Sequence, residues 1–255
     1  MKVVSYNIHD SYAWKIERLL GLNADILVVP EITCPEDARL PGEYEMKWNG
    51  ISYYWKFRRW KGLGVIWRRG IGYIPDWYNP SLYYAIPLIV GDLLILAIWP
   101  TKRKGVTDNK LYPQIAQEII GEYAPYFMQY RTVVIGDFNC YVNQVDSSEQ
   151  FGDIRRIDAM LSSYGLHSVY HEWTGERLGE ETCPTYFHHF EPQHPFFLDY
   201  AYTNIPVQSF QLFPWDSEMS DHVGMELVIS KTKAAGRSDL LPLNHISTQI
   251  LNLQI

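Results

Sequence analysis

Short apolar runs recur along the whole chain and predict a protein that is built mainly from β-strands. Several of these runs are apolar at every position, which is typical of strands that are covered on both faces. We therefore expect most of the strands to lie inside a layered structure. The runs are Val3–Ile8, Asp25–Val29, Leu63–Trp67, Leu82–Leu88, Leu93–Trp99, Thr132–Ile135, Phe196–Thr203, Val207–Leu212 and Val223–Ile229.

Three segments between these runs have apolar residues at helical spacing, namely Trp14–Leu22, Asn109–Met128 and Asp153–Tyr164. The third is followed by Gly165, a residue type that often ends a helix. Strands outnumber helices and do not alternate strictly with them, which argues against a doubly wound sheet or a TIM barrel. This pattern favours mixed sheets that pack face to face with helices outside.

The composition is that of a folded globular protein. The chain has 255 residues, of which 47% are hydrophobic and 20% charged, values that exclude a disordered chain. We assign residues 1–230 to one domain and residues 231–255 to a C-terminal tail with a linker-like start and an apolar end. We expect a cytoplasmic protein, because no apolar run is long enough to span a membrane and the first residues do not resemble a signal peptide.

Charge is distributed unevenly along a chain whose net charge is −7. Residues 51–75 carry six basic side chains and no acidic one, and residues 102–110 carry four basic side chains and one acid. The remainder holds 12 basic and 28 acidic side chains, a charge of −16. Such a pattern fits a phosphate-attracting strip beside an acidic cleft that collects metal ions.

Aromatic residues alternate with cations in the run 53–69. This composition suits a surface on which nucleic-acid bases stack. It suits equally a hairpin whose aromatic side chains pack into the core.

Polar side chains follow the ends of five apolar runs. Clustered carboxylate and amide oxygens are ligands that Mg²⁺ and Mn²⁺ prefer, and a histidine next to an aspartate can perform acid–base chemistry. Six of the eight histidines lie within residues 167–222, but they lack the fixed spacing of a zinc site. The strand-end residues are Asn7, Glu31, Asp137 with Asn139, Asp199, and Asp221 with His222.

Five short motifs occur in an order that resembles the endonuclease/exonuclease/phosphatase superfamily. They are SYN (5–7), DILVVPE (25–31), GDFN (136–139), LDY (198–200) and SDH (220–222). Each motif alone is a weak signal, whereas five in order over residues 2–230 form a strong one. The family includes deoxyribonucleases, abasic-site endonucleases, inositol-polyphosphate 5-phosphatases and neutral sphingomyelinases.

The resemblance implies a four-layer α/β sandwich, in which two mixed, mostly antiparallel sheets pack face to face with helices outside. It also implies cleavage of a phosphoester with the help of Mg²⁺ or Mn²⁺. It makes Glu31, Asn7 and Asp221 metal ligands. It makes Asp137 the group that orients or deprotonates the attacking water, with Asn139 holding the phosphate or that carboxylate. His222, oriented by Asp199, would bind a phosphate oxygen. Four further residues are expected to contact the substrate: His9, Trp99, Arg68 and His188.

Three positions depart from the family pattern. His9 stands where many nucleases have an acid, and Trp99 is the only residue near a position that often holds histidine or tyrosine. The arginine that often precedes the Asp199 position is missing. The function expected first is a metal-dependent phosphodiesterase, an endo- or exonuclease acting on DNA or RNA. The alternatives are a phosphatase or phosphodiesterase for a small molecule or lipid headgroup, and a non-catalytic binding protein on the same fold.

Overall fold

A computed structural model describes residues 1–10, 12–34, 38–54, 59–82, 84–102, 109–144 and 148–230. For residues 51–54, 59 and 60 it describes the backbone alone. The predicted tail, residues 231–255, lies outside the described residues, so the domain division stays a prediction.

The described residues form strands and helices in the following order. They are β1 (Lys2–Ser5), α1 (Ala13–Gly21), β2 (Ile26–Ile32), β3 (Tyr44–Tyr54), β4 (Arg59–Arg68), β5 (Ala85–Val90), β6 (Leu93–Ile98), α2 (Tyr112–Phe127), β7 (Arg131–Asp137), α3 (Ile154–Ser163), β8 (His167–Ser168), α4 (Val169–Thr174), β9 (Tyr186–Phe187), a 3-10 turn (His188–Phe190), β10 (Pro195–Phe196), β11 (Asp199–Thr203), β12 (Val207–Leu212) and β13 (Met225–Ile229).

Two large sheets form the body of the protein. One has the strand order β12-β13-β1-β2-β4-β3 and the other β5-β6-β7-β11-β8. Within them only β1 with β2 and β6 with β7 run parallel, and the other described pairs are antiparallel. The predicted pair of mixed, mostly antiparallel sheets is therefore confirmed.

Successive side chains of each strand point to opposite faces of its sheet and therefore into different layers of the sandwich. Val3 and Val28 point into the core between the sheets, whereas Val4 and Val29 point outward and pack with Leu19 of α1. Helices α2 and α3 bury their apolar stripes against the other sheet, and their buried residues are continuous with the core between the sheets. The resulting order, helix on sheet on sheet on helix, is the predicted four-layer sandwich.

The longest element that the sequence did not predict is β3. It lies at the edge of the six-stranded sheet, and polar residues interrupt its apolar positions. Gly50 also breaks the pattern, for a structural reason: a Cβ there would lie 2.3 Å from the Cα of Gly62 on β4. The remaining unpredicted elements, α4 and the two-residue strands, are too short to show a period.

Within the described ranges, no helix has both the length and the apolar character that crossing a membrane requires. The cytoplasmic location stays a prediction.

Asp153 caps the N-terminus of α3, and its replacement by alanine is expected to lower the free energy of unfolding by about 1 kcal/mol. Its carboxylate accepts hydrogen bonds from the backbone N–H groups of Arg155 and Asn143 and from the Arg155 guanidinium. Burial opposes ionisation, but these bonds outweigh it and hold the pKa of Asp153 below its usual value. Urea unfolding of wild type, Asp153→Ala and Asp153→Asn measures the effect.

The pH dependence follows from the direction of this shift. A depressed pKa means that the charge of Asp153 stabilises the fold above the pKa of the unfolded chain, and that this stabilisation is lost as the pH falls through the folded value. Asp153→Asn keeps a capping oxygen and removes only the charge. Its loss of unfolding free energy relative to wild type should therefore be smaller than that of the alanine variant at pH 7. In acid this loss should vanish. An equal deficit at both pH values would contradict this account.

Candidate active site

The topology brings the five predicted strand ends to one edge of the sandwich. Because β1 and β2 are parallel, Asn7 and Glu31 follow the same ends of neighbouring strands. In the second sheet β11 runs antiparallel to β7, and Asp199 pairs directly with Asp137. His222 stands just before β13, and its side chain contacts residues of both sheets.

Glu31 reaches this edge through a bulge in β2. Val29 pairs with Gly64 and Ile32 with Gly62, so one extra residue of β2 lies between two pairs. A bulge of this kind redirects a side chain. Glu31 itself has a φ of +62°, and its side chain stays 20% exposed at the site.

Backbone strain marks the same edge. Besides Glu31, both His9 and Asn139 adopt positive φ values, 59° and 50°. Such conformations are energetically unfavourable for non-glycine residues, and they tend to cluster at functional sites. Three of the predicted site residues are therefore held in unfavourable backbone conformations by the surrounding fold.

Asn7 is fully buried and connects the two halves of the site. Its oxygen accepts the backbone N–H of His9 at 2.9 Å. Its amide nitrogen therefore faces Glu31 Oε1 at 3.3 Å, Asp137 Oδ2 at 3.0 Å and His222 Nε2 at 3.3 Å. In this orientation Asn7 fixes the positions of the acidic groups, and its role as a metal ligand stays a prediction.

His222 lies between two buried carboxylates. Its Nδ1 is 2.8 Å from Asp199 Oδ2, and its Nε2 is 3.8 Å from Asp137 Oδ2. Burial alone would lower the pKa of His222, but the carboxylates of Asp199 and Asp137 outweigh it and raise the pKa well above its usual value. The imidazole is therefore a cation at neutral pH, held in one orientation by Asp199.

Asp137 is buried and is fixed by its own loop. The backbone N–H of Asn139 donates to Oδ1 at 2.9 Å, and the Asn139 amide, itself anchored on the Pro100 carbonyl, lies 3.4 Å from Oδ2. Burial raises the pKa of Asp137 above its usual value, although the charge of His222 opposes the shift. A carboxylate in this state is a better proton acceptor than one in water.

Asp221 faces the opposite side of His222. Its Oδ2 is 3.2 Å from His9 Nδ1, and its Oδ1 accepts from Ser220 Oγ at 3.3 Å. Burial opposes the charge of Asp221, but His9 and His222 outweigh it and lower the pKa. Asp221 therefore carries its negative charge at neutral pH.

The structure also brings two of the four predicted substrate contacts to this edge. His9 lies beside Asp221, as described. His188 is exposed, and its Nδ1 is 2.8 Å from the hydroxyl of Tyr186, a residue that packs against the His222 ring at 4.6 Å between centroids.

The other two predicted contacts do not lie at the site, which corrects the sequence interpretation. The backbone of Trp99 follows β6 toward this edge, but its side chain turns into the core, packs against Tyr84 and is 5% exposed. Arg68 lies at the far end of the sheet, where its backbone N–H bonds to Asp25 at the start of β2. Its guanidinium packs over the Tyr44 ring.

The basic run 51–75 does not form one strip where its side chains are described. Lys61 points into the site, whereas Arg68 and Arg69 lie at the opposite end of β4. Trp67 is buried and donates its indole N–H to Glu45. The side chains of residues 51–60 and most of the second basic segment, residues 103–108, lie outside the described part of the chain.

Three site residues were missed from the sequence. Lys61 was counted only as one cation of the basic run, although its ammonium group contacts Glu31 Oε2 at 2.6 Å. The Tyr186 ring packs against the His222 ring, tilted by 39°, and Thr185 Oγ1 accepts the backbone N–H groups of Leu198 and Asp199. No sequence signal marks these residues, because their partners lie on distant segments.

A groove of about 360 Å³ opens beside Asn139 and His188. Its walls are mainly aromatic and apolar, and its position next to Asp137 and His222 gives space for a group attached to a phosphate. The lining residues are Tyr112, Asn139, Tyr141, Gln144, Tyr186, His188, Phe196 and Leu198.

The donor set of the site suits a hard divalent cation. Among the described residues, ligand atoms of Asp137, Asp199 and His222 all lie within 4.8 Å of one another and could hold a metal ion. However, Nδ1 of His222 is already engaged by Asp199. The carboxylates of Glu31 and Asp221 offer oxygen atoms at the mouth of the site, which Mg²⁺ and Mn²⁺ prefer over nitrogen.

No protein-family model matches the sequence, and no curated protein matches it significantly. Solved structures do match. The 3′ phosphatase NExo from Neisseria, bound to a product DNA hairpin, has a TM-score of 0.62 and 15% identity, and the match covers 90% of this chain and 99% of that chain.

Two further structures agree with this match. An AP endonuclease from Archaeoglobus fulgidus has a TM-score of 0.62 and 13% identity, over 89% of this chain and 98% of that chain. An endonuclease/exonuclease/phosphatase family protein from Leptotrichia buccalis C-1013-b has a TM-score of 0.59 and 14% identity, over 90% and 99%. The family resemblance read from the motifs is thus confirmed at the level of the fold.

Proposed function

We propose that the chain is a member of the endonuclease/exonuclease/phosphatase superfamily that cleaves phosphodiester bonds of nucleic acid with the help of a divalent metal ion. The observation that carries the proposal is the buried Asp199–His222–Asp137 arrangement beside Glu31, at one edge of a fold shared with DNA-processing phosphatases and endonucleases. Clustered buried carboxylates are costly to maintain, so they favour a catalytic over a purely structural role.

His222 is proposed to bind a non-bridging phosphate oxygen. The imidazolium is held by Asp199, and its Nε2 faces the space shared with Asp137 and Asn7. A fixed cation aimed at the phosphate stabilises the negative charge that grows in the transition state, and it needs no reorganisation during the reaction.

Asp137 is proposed to orient and deprotonate the attacking water. Its raised pKa makes the carboxylate a better base, and Asn139 and Asn7 hold both of its oxygens in place. The proton then moves from water to a carboxylate oxygen while the water oxygen attacks phosphorus, and the bond between phosphorus and the leaving oxygen breaks with its electron pair going to that oxygen.

Glu31 and Asp221, with Asn7 beside them, are the residues proposed to hold Mg²⁺ or Mn²⁺. When bound there, the ion would screen the phosphate charge and stabilise the departing oxygen. The chain's own part is to keep Glu31 at the site edge through the β2 bulge and to keep Asp221 ionised beside His9.

Nucleic acid is the proposed substrate for two reasons. The aromatic groove beside Asn139 suits the flat, apolar face of a base or a sugar, and Lys102 packs over the Tyr112 ring at its wall. The backbone of the β3–β4 pair also extends past the end of β2, from the Ser52–Lys61 pair to the Tyr54–Arg59 pair, and the sequence of this extension is aromatic and basic.

Removing the metal is expected to abolish cleavage of nucleic acid. Purified protein would be incubated with single- and double-stranded DNA and RNA in Mg²⁺ or Mn²⁺, with and without EDTA, and the products resolved on denaturing gels. We expect metal-dependent cleavage that EDTA stops and added Mn²⁺ restores. Raising the salt concentration should weaken binding, because contacts to phosphates release counterions.

Two results would contradict parts of the proposal. Cleavage that persists in EDTA would exclude a metal-dependent mechanism. Metal-dependent hydrolysis of small phosphomonoesters or lipid headgroups, with no cleavage of any nucleic acid, would replace the proposed substrate and keep the proposed chemistry.

A further inference from the structure

Lys61 places its ammonium group in a cradle of three oxygen atoms at the metal-binding side of the site. Its Nζ is 2.6 Å from Glu31 Oε2 and 3.0 Å from Asp10 Oδ1, and it also donates to the carbonyl oxygen of His9. The Lys61 side chain is only 11% exposed. Its charge is therefore committed to these oxygens and is not directed at solvent.

The cradle has the chemistry of a cation site. Two carboxylates and one peptide carbonyl, all oxygen donors, form the kind of set that hard divalent ions bind in proteins. The Lys61 ammonium group contacts one oxygen of each carboxylate, so its charge is paired with both acidic groups. A single positive charge on a tethered side chain thus neutralises part of an acidic pair.

The pairing of β4 with β3 on one side and with β2 on the other fixes the position of Lys61 beside Glu31. Lys61 belongs to β4 and pairs with Ser52 of β3, and the next residue, Gly62, pairs with Ile32 directly after Glu31. The bulge that turns Glu31 toward the site also turns it toward Lys61. Lys61 is therefore placed by the sheet itself, not by a chance contact of a long surface side chain.

We propose that Lys61 is a positioning residue that acts as a built-in cation. It holds Glu31 through Oε2 and occupies the space between Glu31 and Asp10, so that a divalent ion takes Oε1, the oxygen that faces Asn7. The inference rests on the proposed function for the identity of Glu31 as a metal ligand. The proposal predicts the number of bound divalent ions. A chain without the Lys61 charge binds one more of them than the natural chain.

The test counts bound Mn²⁺ by electron paramagnetic resonance, in which only the free ion gives the sharp solution signal. The full chain would be titrated as wild type, Lys61→Met and Lys61→Gln, with circular dichroism to verify that each is folded. Lys61→Met keeps the aliphatic stem and removes the charge. Lys61→Gln replaces the ammonium group by a neutral polar amide. It is the variant to use if Lys61→Met does not fold.

Lys15 provides a matched control. It is another buried lysine close to the same acidic groups, but its ammonium donates to the backbone carbonyl of Ile8 at 2.8 Å and forms no salt bridge with a carboxylate among the described residues. Lys15→Met removes the same charge from the same region. We expect the Lys15 variant to bind the wild-type number of Mn²⁺ ions and Lys61→Arg, which keeps a cation, to do the same.

The outcomes separate the two proposals. One additional Mn²⁺ in Lys61→Met or Lys61→Gln, and none in Lys15→Met, supports the inference whatever number the wild type binds. An unchanged count in the folded Lys61 variants, or an equal gain in Lys15→Met, overturns it. A wild type that binds no Mn²⁺ contradicts the metal dependence of the proposed function and, with it, the direction of an ion to Oε1. The role of Lys61 as a built-in cation is then decided by the difference between the variants.

Discussion

Replacing His222 by alanine is expected to lower the rate constant for phosphodiester cleavage at least about a hundredfold, the low end of what a positioned acid–base or charge-stabilising group contributes. The variant loses the cation that lies between Asp199 and Asp137. It leaves two buried carboxylates facing the phosphate, so repulsion adds to the lost attraction. Single-turnover cleavage of a labelled oligonucleotide at saturating enzyme measures the effect on the chemical step.

The His222 prediction needs two comparisons. Asp199→Asn keeps the shape of the hydrogen bond to His222 and removes the charge, so a smaller loss is expected, and the double variant should be no worse than His222→Ala alone. His194→Ala removes an exposed imidazole whose Nδ1 bonds to Glu191, and it keeps the backbone carbonyl that accepts the His188 N–H, so it should leave the rate unchanged. A loss below tenfold in folded His222→Ala would refute the assigned role.

Replacing Gly136 by alanine is expected to cost at least about 4 kcal/mol of unfolding free energy, a large share of the 5–15 kcal/mol that a typical domain has. Gly136 precedes Asp137 in β7 and has a φ of +152°. A Cβ there would lie 1.9 Å from the carbonyl oxygen of its strand partner, Ile98. Backbone atoms of two central strands would have to separate, which breaks pairing in the middle of the sheet.

Gly165 is the matched control for this prediction. It also has a positive φ, +75°, but a Cβ there would meet no atom within 4 Å. Gly165→Ala should therefore cost only the conformational penalty, about 1–2 kcal/mol. Urea unfolding of both variants separates the two contributions. Equal losses would show that the close approach at Ile98 relaxes easily and would contradict the argument from packing.

Most of the fold could be predicted from local patterns. The three helices were placed to within about three residues, since an amphipathic stripe and a terminal glycine are both local signals. The strand β3 was missed because an edge strand need not be apolar on both faces. Gly50 interrupts the pattern of β3 because its backbone lies close to Gly62 of β4, a contact that exists only when the two strands pair.

The site was predicted by residue type and order, but its contacts were not. Asn7 and His222 are 215 positions apart and yet come within 3.3 Å. Trp99 and Arg68 were chosen because they sit near strand ends or in a basic run. Only the fold shows that one is buried in the core and the other lies at the far end of the sheet.

The sequence by itself determined which polar residues stand at the ends of apolar strands, because side chains that leave the core face water. It also determined the layered fold that such strands build. The tertiary structure decided which of those ends meet, through strand order and register. It also decided that Lys61 belongs to the site and that the described basic side chains of residues 51–75 do not form one strip. The physical reason is that a one-residue register shift in β2 redirects Glu31 toward a cation on another strand, and such a shift leaves no trace in local periodicity.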